Sequence, residues 1–244
     1  MLGVPGAQGS GKSTIALGVT ERMAARGVAC ALLSLDDLYL TRAERARLAR
    51  DVHPLLRTRG VPGTHDVALG LGVVDALARG EDAALPRFDK AMDDRTPEAS
   101  WPRAPKDTRL LILEGWCVGA RPQEAAALVR PVNALEARED ADGRWRAYVN
   151  RALAGDYQAL FGRIDTLAFL AAPGFEVVAR WRGEQEDALR AHGGGAGVMD
   201  AATLERFIQH YERITKAMLG DMPGRADVVV RLGVDRRAVG VLGG

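Results

Sequence analysis

Cysteine is nearly absent from this 244-residue chain, which holds only Cys30 and Cys117. Two thiols without metal-ligand spacing exclude a disulfide framework and a cysteine-built metal centre, and both read as ordinary free thiols. Aromatic residues make up only 5% of the chain. No apolar run approaches the ~18 residues needed to span a bilayer, and the start MLGVPGAQGS has neither the basic region nor the apolar core of a secretion signal. These absences predict a cytoplasmic protein with no membrane contact. Surplus charge is missing as well: 33 basic residues face 32 acidic ones, a formal net charge of +1. That balance gives no reason to expect nucleic-acid binding. Lysine is the scarcest basic type, with four residues (12, 90, 106 and 216) against 29 arginines. Lysine is a compact point charge and arginine a planar fork, so each retained lysine hints at a place that needs the former.

What is present is an alternation of short apolar runs and helical patterns. The runs at 28–35, 109–115, 165–172 and 226–232 read as strands, and strands separated by helices argue for a parallel sheet covered on both sides. Helices are expected over 13–26, closed by Gly27, and over 66–79, capped by Thr64 or Asp66 and closed by Gly80. Further helices are expected between Pro122 and Pro131 and, after Asp142, along Trp145, Val149, Leu153, Leu160 and Phe161. The strongest stripe is Leu204, Phe207, Ile208, Tyr211, Ile214, Met218 and Leu219, behind a cap near Asp200. A chain of this length accommodates one well-buried core, so residues 1–244 are read as a single domain. Two stretches break the alternation. Residues 36–109 form a long, turn-rich insertion between the second and third strands, and such insertions often carry function. AHGGGAGVMD (191–200) is either a hinge after a helix or a surface loop. Only four residues precede Pro5 as a first strand, shorter than the usual ~5–6, and the expectation is a true start upstream or a truncated chain.

GAQGSGKS, from Gly6 to Ser13, matches G-x-x-x-x-G-K-[ST] at every fixed position, between a short apolar start and a helix. Gly6, Ala7, Gln8, Gly9, Ser10 and Gly11 can crowd backbone N–H groups around phosphate oxygens, aided by the helix N-terminus and Thr14 behind it. Lys12 reaches the terminal phosphates and the Ser13 hydroxyl binds Mg²⁺. The cofactors implied are ATP and Mg²⁺; no guanine-reading motif follows the later strands. Such a site needs a carboxylate at a neighbouring strand end, and LLILEGW offers Glu114 for the metal. The fold class expected is therefore α/β, a P-loop NTPase fold with helices flanking a parallel sheet.

LSLDDLYLT then becomes informative. In an open parallel sheet, ligands collect at the carboxyl ends of the strands, so Asp36 and Asp37 fall on the same rim as the P-loop. A carboxylate there can orient and deprotonate an attacking hydroxyl or contact the metal, and this role is read for Asp36. Asp37 is read as a cap for the helix suggested by TRAERARLAR, or as an outer contact.

SLDDLYL resembles the strand-end motif of the uridine kinase, phosphoribulokinase and pantothenate kinase superfamily, whose first acidic residue is the catalytic base. SLDDLYLT, RGVPGTHD, LPRFDKAMDDR with Trp101, LEGWCVGARP, PVNALE and WRGEQE together resemble the D-glycerate 3-kinase family, from Gly3 to about residue 232. The resemblance implies a substrate cap over 36–109, a helical lid over about 174–199 with Arg180 and Arg182 closing on the phosphoryl group, and a glycerate-like acceptor. The residues agree independently with a small anion, since 36–109 holds three aromatics (Tyr39, Phe88, Trp101) but Arg57, Arg59, His65, Arg87, Lys90 and Arg95. A carboxylate wants such donors. The acceptor side is thus assigned Asp37, Tyr39, Arg59, His65, Arg87, Lys90 and Arg95, with His65 divided between cap support and substrate contact. The alternatives are a pantothenate- or nucleoside-like acceptor, or an ATP-gated switch with a protein partner. Neither the acceptor nor the oligomeric state is readable here.

Overall fold

The computed structural model describes residues 1–191 and 199–243. Its elements in order are β1 (Leu2–Pro5), α1 (Lys12–Ala24), β2 (Cys30–Ser34), α2 (Arg42–Asp51), α3 (Val67–Ala78), β3 (Phe88–Asp89), β4 (Asp94–Arg95), β5 (Leu110–Gly115), α4 (Ala134–Glu139), α5 (Arg144–Ala154), α6 (Asp156–Phe161), β6 (Thr166–Ala171), α7 (Glu176–Ala191), α8 (Ala201–Asp221), β7 (Val228–Leu232) and β8 (Ala238–Gly243). Six strands form one sheet in the order β2-β5-β1-β6-β7-β8. All neighbours are parallel except β8, which pairs antiparallel with β7. Strands in such a sheet are buried on both faces, which is why they read as unbroken apolar runs. Alternate residues serve two cores: Leu111, Leu113, Leu167 and Phe169 pack on one face, Val4, Ile112, Leu170 and Leu232 on the other. The first core is closed by α3, α5, α6 and much of α8; the second contains Ala16 of α1 and Val178 and Trp181 of α7.

Most expected helices form, with informative differences. Asp66, not Thr64, caps α3 by accepting from Leu69 N, and Asp200 caps α8 by accepting from Thr203 N. The segment behind Pro122 makes only a single 3-10 turn, Ala125–Leu128. The stripe from Trp145 to Phe161 is two helices broken at Gly155. Residues 36–109 are also more ordered than their turn-rich sequence implies, holding α2, α3 and the β3–β4 hairpin. No helix is long and apolar enough to cross a membrane, among the described residues. The triple glycine of the expected lid, residues 193–195, lies outside the described residues.

Register brings three loops together. Val4 of β1 and Ser34 of β2 both lie beside Glu114 of β5. The segments leaving these strands are the P-loop, the Asp36–Asp37 turn and the Gly115 turn, so they share one rim.

Candidate functional site

The nucleotide side of the rim is built from backbone. Gly9 and Gly11 adopt φ values of 77° and 85°, a left-handed region that side chains rarely tolerate. At Gly9 a Cβ would also approach the Cβ of Trp181 to 2.7 Å, because α7 lies directly on the loop. Helix α1 begins at Lys12 with no side-chain cap on its first-turn amides, which leaves them directed at the space a phosphate would fill. Beside it the Ser13 hydroxyl donates to Glu114 Oε1 at 3.0 Å. Glu114 is buried, and its second oxygen, Oε2, has no partner. An orphaned carboxylate oxygen beside a serine hydroxyl is a hard-oxygen donor set that fits Mg²⁺ or its waters. Gly115 follows because a Cβ there would sit 2.6 Å from Leu35 Cβ, so the smallest residue lets β5 close against the Asp36 turn.

The two adjacent carboxylates occupy a 3-10 turn, Leu35–Leu38, and do different things. Asp36 accepts the Tyr39 hydroxyl on Oδ1 at 2.8 Å and the Lys90 ammonium on Oδ2 at 2.6 Å. Burial alone would push its carboxyl up, but the charges of Lys90 and Lys12, with the hydrogen bonds from Lys90 and Tyr39, hold it well below the usual carboxylate range. Asp37 points the other way, accepting Phe88 N at 3.0 Å and Arg87 at 3.3 Å. Its carboxyl is raised, by burial first and by the charge of Asp36, against the opposing effects of Phe88, Arg87 and Lys90. The helix cap expected of Asp37 belongs instead to Thr41, which forms a capping box with Glu44 at the start of α2. Asp37 therefore ties the hairpin to the sheet.

His65 faces the same turn. Its ring stacks on Tyr39 at 4.6 Å between centroids, and its Nδ1 lies 2.6 Å from the Tyr157 hydroxyl. That hydroxyl already accepts from Gly63 N at 3.0 Å, so its own proton is free to go to Nδ1. The imidazole thus carries its hydrogen on Nε2, which is buried without a partner. Burial lowers the pKa of His65 to about 4, the charge of Asp36 opposing the shift only in part, so the ring is neutral at pH 7. The cap at this helix start is Asp66, leaving His65 as a neutral donor beside the rim.

The cations expected around an acceptor are already paired with carboxylates. Arg59 bonds to Asp93, Arg87 to Asp37, Arg95 to Asp66 and to the Tyr39 carbonyl, and Lys90 to Asp36. Arg45, buried at 2% side-chain exposure, joins this web by donating to the carbonyls of Leu40, Arg57 and Asp93 and by pairing with the Asp93 carboxylate at 3.0 Å. The two lid arginines separate. Arg180 reaches the Val234 carbonyl at the β7–β8 turn and lies near Glu184, whereas the charge of Arg182 bears on the Tyr211 hydroxyl. Tyr211 in turn donates to the Arg59 carbonyl at 3.2 Å, which ties α8 to the 36–109 insertion.

Sequence reasoning placed Tyr157 and Tyr211 nowhere near the site. Tyr211 counted only as part of an apolar stripe, yet both present hydroxyls to the 36–109 insertion. The available signal was their chemistry: a tyrosine in a buried stripe carries a hydroxyl that needs a partner. The Trp181 contact on the P-loop had no sequence signal, because it joins residues 172 positions apart in the chain.

Comparison with known proteins is consistent across sequence and structure. No family model matches the chain. It is 39% identical over 228 residues to the Schizosaccharomyces pombe uncharacterized kinase mug58, covering 86% of this chain and 78% of the relative. It is 27% identical over 249 residues to the chloroplastic D-glycerate 3-kinase of Arabidopsis thaliana, covering 96% of this chain but 52%, about half, of that enzyme's length. Among solved structures, D-glycerate 3-kinase from Cryptococcus neoformans superposes with a TM-score of 0.80 at 25% identity, over 100% of this chain and 89% of the other.

Proposed function

Because the chain belongs to the D-glycerate 3-kinase-like family of P-loop kinases, we propose that it transfers the γ-phosphoryl group of ATP to a hydroxyl of a small acid, D-glycerate first among them. The observation that carries this reading is the register placing Ser34 beside Glu114, which brings the Asp36 carboxylate to the rim that holds Ser13 and the P-loop.

In this reading the bare amides of α1 and Lys12 hold the phosphates, and Ser13 and Glu114 hold Mg²⁺, with Asp36 on the same side as a further contact. Bound there, the metal would supply positive charge to offset that of the phosphates. Asp36, oriented by Tyr39, receives the acceptor's hydroxyl proton. The acceptor oxygen forms its bond to phosphorus as the bond to the β,γ-bridging oxygen breaks, and the electron pair leaves with ADP. A carboxylate held ionised suits this step, since the loose transition state asks for orientation more than for a strong base. Arg182 lies on the helix that covers the P-loop and is the lid arginine assigned to the transferring group. Arg180, engaged at the β7–β8 turn, supports that helix.

The acceptor side favours a small acid over a nucleoside. Tyr39, stacked on His65, and Phe88, which meets it edge-on at 5.3 Å, are both buried, so neither ring is presented to a base. His65 contributes a neutral donor. Measuring ADP release with D-glycerate, pantothenate and uridine tests the proposal. D-glycerate should stimulate release, and Asp36→Asn should remove the stimulation, with losses of roughly 10²–10⁴-fold expected for a positioned base. Full activity in that variant, or stimulation by none of the three acceptors, refutes it.

A further inference from the structure

Lysine is rare in this chain, and one of its four copies sits on the oxygen where the acceptor hydroxyl must arrive. We infer that Lys90 is the residue that recognises the acceptor's carboxylate, and that it does so by leaving Asp36, so that a negatively charged acceptor uncovers the oxygen its own hydroxyl needs. This inference rests on the small-acid reading above and specifies how that site reads charge.

The assignment begins with which cations can move. Arg87 and Arg95 fasten the hairpin to Asp37, Asp66 and main-chain carbonyls, and Arg59 pairs with Asp93 beneath Phe88. Freeing any of them would loosen the wall of the site. Lys90 differs in each respect. Its side chain is 60% exposed, and its ammonium is bonded to Asp36. Its backbone neighbours are held without it, because Asp89 accepts Ala91 N and Met92 N at 2.8 and 3.1 Å. The turn can thus stay in place while a flexible four-carbon stem swings.

The exchange follows from the geometry of the carboxylate. Tyr39 occupies Oδ1 of Asp36 and approaches through the buried wall, whereas Lys90 occupies Oδ2 from the solvent side. A hydroxyl entering from solvent therefore meets the ammonium first. A neutral polyol has nothing to offer that ammonium, but an acid carries a carboxylate a few bonds from its hydroxyl. The trade is open to Lys90 because its ammonium stays within reach of solvent, and Asp36 keeps the Tyr39 hydroxyl and the charge of Lys12 when Lys90 leaves. A compact ammonium with three rotatable donors can make the trade where a guanidinium fork, geometrically committed to one partner, cannot. This gives the lysine at position 90 a chemical reason in a chain that otherwise uses arginine.

Two measurements decide it. In protein labelled on lysine with ¹³C and ¹⁵N, four side-chain signals are available, and that of Lys90 should shift when D-glycerate is added but not when glycerol is. In steady state, the ratio of kcat/KM for D-glycerate to that for glycerol should fall roughly 10–100-fold in Lys90→Met, the range for losing one charge-assisted hydrogen bond. Lys90→Gln and a thermal unfolding midpoint check that the variants fold, and the wild-type spectrum needs no substitution. An unmoved Lys90 signal, or an unchanged ratio, in protein that phosphorylates D-glycerate overturns the exchange and leaves the kinase reading intact. Failure of the wild type to phosphorylate any small acid removes both.

Discussion

From Gly6 to Ser13 the rim is made of glycines, bare amides and a helix end; from Asp36 to Arg95 it is made of side-chain ion pairs laid over a hairpin and two helices. The first half presents dipoles fixed by the backbone, so its geometry is set once the strand and helix form. The second is held by Asp37–Arg87, Asp66–Arg95, Asp93–Arg59 and Asp93–Arg45, contacts whose strength depends on how dry each one is. Only Arg45 among these is fully enclosed. The nucleotide half should accordingly behave as a rigid cradle, and the acceptor half as a wall that single substitutions can loosen.

The largest break in that comparison should come from the helix lying across the cradle. Arg182→Ala should lower kcat by ~10³-fold or more while changing the KM for ATP far less, as expected of an arginine that meets the transferring group. Arg180→Ala, two residues away but bonded to Val234, should have a much smaller effect. Steady-state kinetics on both variants separates the roles, and equal losses would remove the lid assignment from Arg182. The acceptor half is loosened by Asp37→Ala, which deletes the tie to Phe88 N and Arg87. Chemical denaturation should show a loss of about 1–3 kcal/mol for the buried donor left unpaired. The KM for the acceptor should rise with that for ATP nearly fixed; a matching rise for ATP would show that the halves are not independent.

The mildest effect is one of pH. His65 and His210 are both buried neutral, each with a pKa lowered to about 4 chiefly by burial. In the unfolded chain each titrates near 6.5, so between pH 6.5 and 4 the unfolded state binds more protons. Stability should be full above pH 6.5 and fall on acidification through that window, by at most about 1.4 kcal/mol per pH unit for each histidine. Thermal melts from pH 7 to 4.5 check this, and His65→Gln should flatten the slope without abolishing it, since His210 remains. A slope unchanged by that substitution would mean that His65 is not held neutral.

Legibility followed the source of each contact. The P-loop, the strand runs and the caps at Asp66 and Asp200 are set by residues a few positions apart, and all could be read directly. Ser13, Asp36 and Glu114 were readable one step further, because strand ends in a parallel sheet converge by rule. What stayed hidden was long-range: Tyr157 on His65, Trp181 on Gly9 and Asp93 on two arginines. Local patterning was also overruled where a break was small, as at Gly155, which splits one expected helix into two. The strand β8 escaped because its exposed Val239 and Val241 give no half-buried alternation. Asp37 shows the limit most plainly. Its neighbour in sequence is assigned to chemistry, while its own partner is a backbone amide 51 residues away.

That bond also bears on how such a site can change over generations. The hairpin is clasped at its root, by Asp37 on Phe88 and by Thr96 N on the Arg87 carbonyl at 2.9 Å, and pinned again at Asp93 by Arg45 and Arg59, which leaves Ala91 and Met92 as its exposed tip. Residues can be added between Ala91 and Met92, inside these anchors, with little disturbance to the sheet. An insertion there would reshape the outer edge of the rim and leave the phosphate cradle, on the far side of the sheet's strand ends, untouched.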